Sequence, residues 1–141
     1  MTSLVVDPAL ARTISADQSE LQAVVLGEAV SAYDSIGKNP ADNKYWRTDG
    51  ISTGLQVDFA GYALQNGAAD EKVGAQLGGT IYLGVAAAEG MLYVVGSDTP
   101  GGTENVVEAL AASGLLVNMI GYGDEDGNIV IKRIPTGKSI A

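Results

Sequence analysis

Glycine constrains the fold of this chain more than any other residue type. It occurs 19 times in 141 residues, which is about twice its usual share of roughly 7%. Because glycine favours turns and close backbone contacts and weakens helix interiors, a chain so rich in it favours short strands. The apolar runs are short, and many end at a glycine or a polar turn, as residues 21–26 do at Gly27. This pattern is typical of a β domain with many turns.

Two β-hairpins are predicted from clear turn signals. Residues 39–43 read Asn-Pro-Ala-Asp-Asn and join two short runs that contain apolar and aromatic residues, which indicates a hairpin with a five-residue loop. The acidic turn at residues 124–128 joins two apolar runs near the end of the chain, which indicates a second hairpin. The predicted strands of the two hairpins are residues 35–37, 44–47, 115–120 and 129–134.

The other strands are predicted from apolar or alternating runs. They comprise residues 21–26, 29–33, 55–59, 73–77, 80–83 and 91–95, the last expected to be buried on both faces. A helix over residues 15–26 is an alternative to the first strand, but the β-branched pair Val24 and Val25 favours a strand. One short helix is predicted over residues 103–113, before Gly114. The sequence therefore predicts an all-β fold: a small glycine-rich barrel or sandwich of short antiparallel strands, with an extended N-terminal arm and at most one short helix.

A chain of 141 residues has the usual size of one domain. We divide it into an N-terminal arm, residues 1–20, and a single β domain, residues 21–141. The arm shows no clean periodicity, which is also what a frayed terminus would show. It nevertheless carries apolar residues: Leu4, Val5, Val6, Leu10 and Ile14. Because disordered tails usually lack such residues, we expect the arm to make contacts.

Charge and residue usage exclude several classes of function. The chain has 8 Lys and Arg against 17 Asp and Glu, a net charge of −9, which argues against binding to phosphate backbones or anionic membrane surfaces. It has no Cys and no His, which excludes thiolate nucleophiles, Cys-based zinc sites and histidine acid–base catalysis. No apolar run reaches the ~18 residues of a membrane span, and the N-terminus lacks a signal-peptide pattern. We expect no cofactor, no metal, no nucleic acid and no membrane partner.

Two ligand-binding motifs are imitated but incomplete. Residues 137–139 read Gly-Lys-Ser, like the end of a phosphate-binding loop, but Lys132 stands where that motif requires its first glycine. Residues 124–128 resemble the opening of a calcium loop, but Ile129 and Pro135 stand where a glycine and a bidentate glutamate are needed. We expect residues 124–128 to form a solvated hairpin tip, with adventitious calcium as the alternative.

The remaining candidates are carboxylates and aromatic residues. An enzyme that used carboxylates alone would rely on Asp58, Asp70 and Glu71, but adjacent side chains on a strand point to opposite faces, so surface charge is the favoured interpretation. Tyr45 and Trp46 form the densest aromatic spot, and if exposed they could anchor an interface or stack on a sugar. A Trp46 buried in the core is the favoured alternative. We predict no catalytic residue.

Several short cues follow one another along most of residues 21–135. They are Gly-Glu-Ala-Val at 27–30, Tyr-Asp-Ser-Ile at 33–36, Lys-Tyr-Trp-Arg at 44–47, Gly-Tyr-Ala-Leu at 61–64, Asn-Gly-Ala-Ala-Asp at 66–70, Gly-Gly-Thr-Ile-Tyr-Leu-Gly at 78–84, the strand at 91–95 and Gly-Tyr-Gly at 121–123. In this order the chain resembles the small decoration, or cement, proteins on the heads of tailed bacteriophages. The resemblance implies an all-β, barrel-like domain that binds the assembled capsid shell, often as a trimer, and catalyses nothing.

The resemblance leads us to expect a virion structural protein on the outer surface of the capsid, present in the host cytoplasm during assembly. The expected partners are the major capsid protein and neighbouring copies of the chain, as a homotrimer. The expected contact residues are Leu4, Val5, Val6, Pro8, Leu10, Ile14, Tyr45 and Trp46. Residues 4–6 could add a strand to a neighbouring sheet through main-chain hydrogen bonds. A carbohydrate-binding or host-adhesion module, such as a head fibre, is the alternative, with Tyr45 and Trp46 as its platform.

Overall fold

The computed structural model describes residues 4–14, 19–48, 57–96, 101–105 and 119–132, which contain ten strands and no helix. The strands are β1 (Arg12–Ile14), β2 (Glu20–Val25), β3 (Ser35–Lys38), β4 (Tyr45–Arg47), β5 (Gly61–Ala63), β6 (Lys72–Tyr82), β7 (Leu92–Val95), β8 (Thr103–Asn105), β9 (Met119–Gly123) and β10 (Ile129–Ile131). All pairings between them are antiparallel. The predicted all-β fold of short antiparallel strands is confirmed. Within these ranges, no helix long and apolar enough to cross a membrane occurs.

The 11-residue strand β6 lies at the centre of the sheet and pairs with four other strands. The sheet follows the order β4-β3-β5-β6-β10-β9-β7-β8 and curls into a half-barrel, while β1 and β2 pair with the other side of β6. The first part of β6 lies between β5 and β2, and its last part lies between β10 and β1. One long strand therefore joins two differently partnered halves of the sheet.

Gly79 lies where β6 changes partners. Its φ angle is +89°, and a Cβ at this position would lie 2.6 Å from the Ser19 Oγ and 2.9 Å from the Ser19 Cα. Only glycine adopts this backbone conformation without strain, and only glycine leaves room for Ser19. The sequence predicts two strands, residues 73–77 and 80–83, on either side of Gly78 and Gly79; in the structure they form one continuous strand.

Two apolar clusters form the core on opposite faces of the curled sheet, and β6 contributes to both. The first cluster contains Phe59, Tyr62, Ile81, Leu83, Ala87, Tyr93, Val95, Ile120, Ile129 and Ile131. The second contains Val24, Leu26, Val30, Ile36, Ala63, Val73, Ala75 and Leu77. Burial of each large aliphatic side chain stabilises the fold by about 1.5–3 kcal/mol relative to exposure. In β5 the adjacent residues Tyr62 and Ala63 point to opposite faces, Tyr62 into the first cluster and Ala63 into the second, so the sheet is covered by core on both faces.

A polar seam joins the two halves of the sheet. The Ser35 N–H donates to the Gly101 carbonyl (2.8 Å), and the Gly101 N–H donates to the Thr48 carbonyl (2.7 Å). The buried hydroxyls of Tyr62 and Thr103 lie 2.7 Å apart and form a hydrogen bond. Burial raises the pKa of Tyr62 above its usual range, although the Thr103 hydrogen bond opposes this, so the phenol is a neutral structural link between β5 and β8.

Both predicted hairpins are present. Strand β3 pairs with β4, with Gly37 opposite Trp46, and β9 pairs with β10, with Tyr122 opposite Val130. In the first turn, the Asn39 side chain accepts a hydrogen bond from the N–H of residue 41 (3.0 Å), as turn-forming Asn residues do. Strand β2 also confirms that residues 21–26 favour a strand over a helix.

Other predicted elements differ in extent. Among residues 29–33, Val30 makes only an isolated bridge to Gly67. Residues 57–60 show the expected alternation, because Val57 and Phe59 are buried and Asp58 is exposed, but the strand ladder begins at Gly61. Residues 93–95 are buried as predicted, whereas Leu92 is 44% exposed. The predicted alternation of buried and exposed side chains therefore agrees with the structure better than the predicted strand ends do.

The predicted helix over residues 103–113 is wrong at its start. Thr103 pairs with Val95 and Asn105 with Tyr93, so the first three residues form strand β8. Tertiary pairing with β7 overrides a local helical pattern of marginal length. Residues 106–113 lie outside the described residues, as do the predicted strand residues 115–118 and the Gly-Lys-Ser motif at 137–139.

The described part of the N-terminal arm lies along its own domain. The Leu4 N–H donates to the Thr103 carbonyl (2.7 Å), and the Asp7 N–H donates to the Leu83 carbonyl (3.0 Å). Strand β1 then pairs with β6, and Leu4 and Val6 pack against the first core cluster. The described arm residues run along the curled sheet, with one hydrogen-bonded turn at residues 8–10, and β1 is part of that sheet.

Candidate functional site

The face of the sheet opposite the first core cluster carries a continuous row of half-buried and exposed side chains across five strands. The row, called here the outer row, consists of Ile14, Thr80, Val130, Tyr122 and Leu92. Each member lies directly opposite the next in the strand register. Directly opposed residues of antiparallel strands point to the same face of a sheet. The five side chains therefore share one surface.

Alternation along each strand explains why this row faces outward. Ile129 and Ile131 flank Val130 and are buried in the first core cluster, as is Ile81 beside Thr80. Successive side chains of a strand point to opposite faces, so Val130 and Thr80 face away from the core. The burial of these isoleucines therefore determines which side chains of β6 and β10 face outward.

Tyr122 and Leu92 are the most accessible members of the outer row. They are 37% and 44% exposed, and they are cross-strand partners on β9 and β7. A tyrosine next to a leucine offers a large apolar contact area together with one hydroxyl for a hydrogen bond. Contiguous exposed apolar groups on a folded domain mark a contact surface more often than isolated ones do.

Two cations border the outer row. Arg12 lies two residues before Ile14, and its guanidinium stacks over the Tyr82 ring at 5.2 Å from the ring centroid. Lys132 follows Val130 by two residues and is exposed. Among the described residues, neither cation makes an ion pair. In a chain of net charge −9, this surface combines apolar contact area with local positive charge.

The arm residues expected at an interface divide into two groups. Leu4 and Val6 pack against the first core cluster, so their side chains are engaged within the chain. Val5 is 80% exposed and Leu10 is 56% exposed, and Pro8 is also exposed. Ile14 is the only expected contact residue that belongs to the outer row, so the structure does not bring the eight expected residues together on one surface.

Tyr45 and Trp46 are half-buried. Tyr45 packs against the second core cluster. The Trp46 indole lies against Gly27, where a Cβ would come within 2.2 Å of the Nε1, and that Nε1 donates to the Asp42 carboxylate (3.1 Å). The Trp46 ring is therefore fixed by neighbours of its own chain, and it lies between the exposed and the fully buried alternatives.

The carboxylates considered for catalysis have structural partners. Asp70 forms an ion pair with Lys44 at 2.5 Å and has a φ of 70° in the turn before β6. Glu71 accepts a hydrogen bond from the Ala68 N–H at 2.6 Å. The hydrogen bond to Asp70, followed by its charge, raises the pKa of Lys44. Asp58 is exposed, and Asp70 and Glu71 are held in the turn before β6.

The acidic hairpin tip is organised by Asp124. Its carboxylate accepts hydrogen bonds from the N–H groups of Asp126 and Asn128, each at 2.9 Å. Slight desolvation raises the pKa of Asp124, but these hydrogen bonds outweigh that effect and hold the pKa below its usual value. The described residues contain no group of three potential metal ligands. The observed geometry is that of a hydrogen-bonded turn, as the hairpin-tip interpretation expects.

Sequence reasoning missed four members of the outer row: Thr80, Val130, Tyr122 and Leu92. Alternation within residues 129–131 indicates that Val130 faces away from its neighbours, but it does not show which strands lie beside it. That information lies in the register between strands that are distant in sequence, because Thr80 lies opposite Ile14 on one side and Val130 on the other. Comparison with known proteins adds nothing to this surface, because no family model, no characterised protein and no solved structure matches the chain.

Proposed function

We propose that this chain is a non-enzymatic structural protein of a phage virion that binds the outside of the assembled capsid. The observation that supports it best is the outer row, an accessible apolar surface bordered by Arg12 and Lys132. A rigid sheet displays this row without requiring any rearrangement of the backbone, and pre-organised surfaces lose little entropy on binding. The order of sequence cues along residues 21–135 is the reason for naming a capsid shell as the partner.

The proposed partners are the major capsid protein and neighbouring copies of the chain, arranged as a homotrimer. The outer row would face the shell, and the exposed arm residues Val5, Pro8 and Leu10 would contact a neighbour. Because a shell offers many equivalent sites, modest affinity at each copy is multiplied when bound copies also touch one another. Binding only the assembled shell stabilises it by mass action. In this proposal the protein acts in the host cytoplasm during assembly and afterwards on the capsid surface.

Co-sedimentation with phage heads tests this function. The protein is mixed with expanded and with unexpanded heads, the heads are pelleted, and bound protein is quantified against concentration. We expect saturable binding to at least one form of the head. Failure to pellet with either form would refute the proposal.

Two substitutions test whether the outer row carries the contact. Leu92→Lys and Tyr122→Lys place a charge at the most exposed end of the row, where loss of a buried contact costs about 1–2 kcal/mol or more, so head affinity should fall by about tenfold or more. Ala69→Lys adds the same charge in the exposed turn before β6 and should bind as the unaltered protein does. Equal head binding by all three variants would show that the row is not the contact surface.

A further inference from the structure

Both ends of the curled sheet are covered by the chain itself. Beyond β4, the Gly27 N–H donates to the Tyr45 carbonyl at 2.8 Å. Beyond β8, the Leu4 N–H donates to the Thr103 carbonyl at 2.7 Å. Covered edges cannot recruit another strand, so these two ends are protected from uncontrolled pairing.

Strand β2 has one edge without a partner strand in the part of the chain that the structure describes. Its only strand partner among the described residues is β6. In an antiparallel pair, every second residue of an edge strand directs its N–H and C=O away from the partner. The side chains of Leu21, Gln22 and Ala23 are all exposed, Leu21 to 49%. An added strand would therefore meet both backbone hydrogen-bonding groups and side-chain surface on either face.

The composition of this edge lacks the usual protection. Natural edge strands carry Lys, Pro or a central bulge that prevents pairing. Residues 21–25 read Leu-Gln-Ala-Val-Val, with no charge, Pro or Gly, and the one irregularity in register lies at the Glu20 end. Two copies of a chain with net charge −9 repel each other over much of their surface. The uncharged edge is a place where they can approach at low electrostatic cost.

The edge is complementary to itself in one arrangement. In an antiparallel pair, two directly opposed residues either exchange hydrogen bonds with each other or both direct their backbone N–H and C=O groups away from the partner strand. A two-fold axis between two β2 strands must therefore lie between two copies of the same residue. An axis at Ala23 places Leu21 opposite Val25 of the second copy and uses all five uncharged residues. It also keeps the two Glu20 side chains roughly 20 Å apart, at about 3.3 Å per residue. A parallel pairing would put them side by side, which is unfavourable.

We propose that two copies of this chain pair antiparallel through β2, about a two-fold axis at Ala23, to form one sheet that continues across both copies. Such an isologous contact joins copies in pairs. It extends the self-association in the proposed function by naming a surface and a symmetry, and it would join two trimers into a hexamer. The pairing itself needs no capsid shell.

Native mass spectrometry of the free protein, together with light scattering, tests this pairing. Because a contact of six-residue strands is small and binds weakly, the measurement is made at about 100 µM. We expect species with an even number of 14.4 kDa chains: dimers, or hexamers if trimers form as well. A spectrum of monomers or trimers alone would overturn the proposal.

Charge reversal at Ala23 gives a sharper test. Ala23→Lys and Ala23→Glu each place two like-charged side chains opposite each other at the axis, with their Cβ atoms about 4.5–5.5 Å apart, so each variant alone should lose its even-numbered species. Mixed in equal amounts, the two variants should recover them as complexes with one Lys and one Glu copy. Ala69→Lys is the matched control and should assemble as the unaltered protein does. Even-numbered species that persist in Ala23→Lys, or a mixture that fails to recover them while both variants show native circular dichroism, would contradict the pairing.

Hydrogen exchange of the unaltered protein gives a readout that needs no variant. Exchange of backbone amides in residues 21–25 should slow as protein concentration rises, because pairing protects the outward N–H groups. Exchange that is independent of concentration would contradict the proposal. Leu92→Lys separates the two proposals, because it should weaken head binding and leave the even-numbered species intact. Pairing without head binding in the unaltered protein would refute the proposed function alone.

Discussion

At the scale of single residues, Asp34 lies beside the polar seam and is the carboxyl group whose pKa is shifted most among the described residues. Its carboxylate accepts a hydrogen bond from the Ser31 N–H at 2.8 Å, and Gly101 packs so closely that a Cβ there would lie 2.8 Å from the Asp34 Cγ. Burial raises the pKa of Asp34 to about 6, against the opposing effects of the Ser31 hydrogen bond and Arg47, while Glu28 adds to the rise. The folded protein therefore holds a proton on Asp34 more tightly than the unfolded chain does.

This shift predicts how the free energy of unfolding changes with pH. Because the folded pKa is raised above 3.8, the contribution of Asp34 is fully present below about pH 4 and is lost as the pH rises through 6. For a half-buried group, with solvent screening, the loss is on the order of 1–2 kcal/mol. Asp34→Asn keeps an acceptor for Ser31 and removes the ionisation. Urea denaturation should show that the variant has the higher free energy of unfolding at pH 7.5, and that the difference between the two proteins is smaller at pH 5. An equal difference at both pH values would contradict the assignment of this pKa to Asp34.

At the scale of elements, the hairpins and β2 could be predicted because their signals are local. Turn residues at 39–43 and 124–128 and the β-branched pair in β2 act on neighbouring backbone. The outer row could not be predicted, since it depends on pairing between distant strands. The helical pattern at residue 103 failed for the same reason, because β8 is stabilised by β7. The break predicted at Gly78 and Gly79 failed because hydrogen bonds to strands on either side continue through it.

Gly79 and Gly90 provide a matched pair for testing the close contact between β6 and Ser19. Both have positive φ angles, +89° and +74°, but a Cβ at Gly79 would clash with Ser19, whereas a Cβ at Gly90 would meet nothing within 4 Å. Gly90→Ala should therefore lower the free energy of unfolding by about 1–2 kcal/mol, through backbone strain alone. Gly79→Ala should cost about 1–3 kcal/mol more, because the added methyl overpacks the contact between β6 and Ser19. Chemical denaturation measures both values, and equal losses would show that the Ser19 contact does not constrain β6.

At the scale of the whole molecule, one curled sheet separates two kinds of surface. The two core clusters lie on opposite faces of the sheet, and the face opposite the first cluster displays the outer row beside two cations. The high glycine content and the short apolar runs predicted the fold class, because they favour short strands joined by turns. The arm shows where a sequence pattern is ambiguous: the same apolar residues suit a contact with a neighbour or with the arm's own domain, and Leu4 and Val6 pack within the chain.

Covalent footprinting of the protein bound to phage heads tests the central claim most directly, because it shows which side chains lose access to solvent. The protein is labelled by hydroxyl radicals while free and while bound to heads, and the labelling of each residue is compared by mass spectrometry. Binding through the outer row predicts that labelling of Tyr122 and Leu92 falls by several-fold on heads. Glu125 and Asp126 at the hairpin tip should report any general shielding by the shell. Unchanged labelling of Tyr122 and Leu92 on saturated heads would contradict the account.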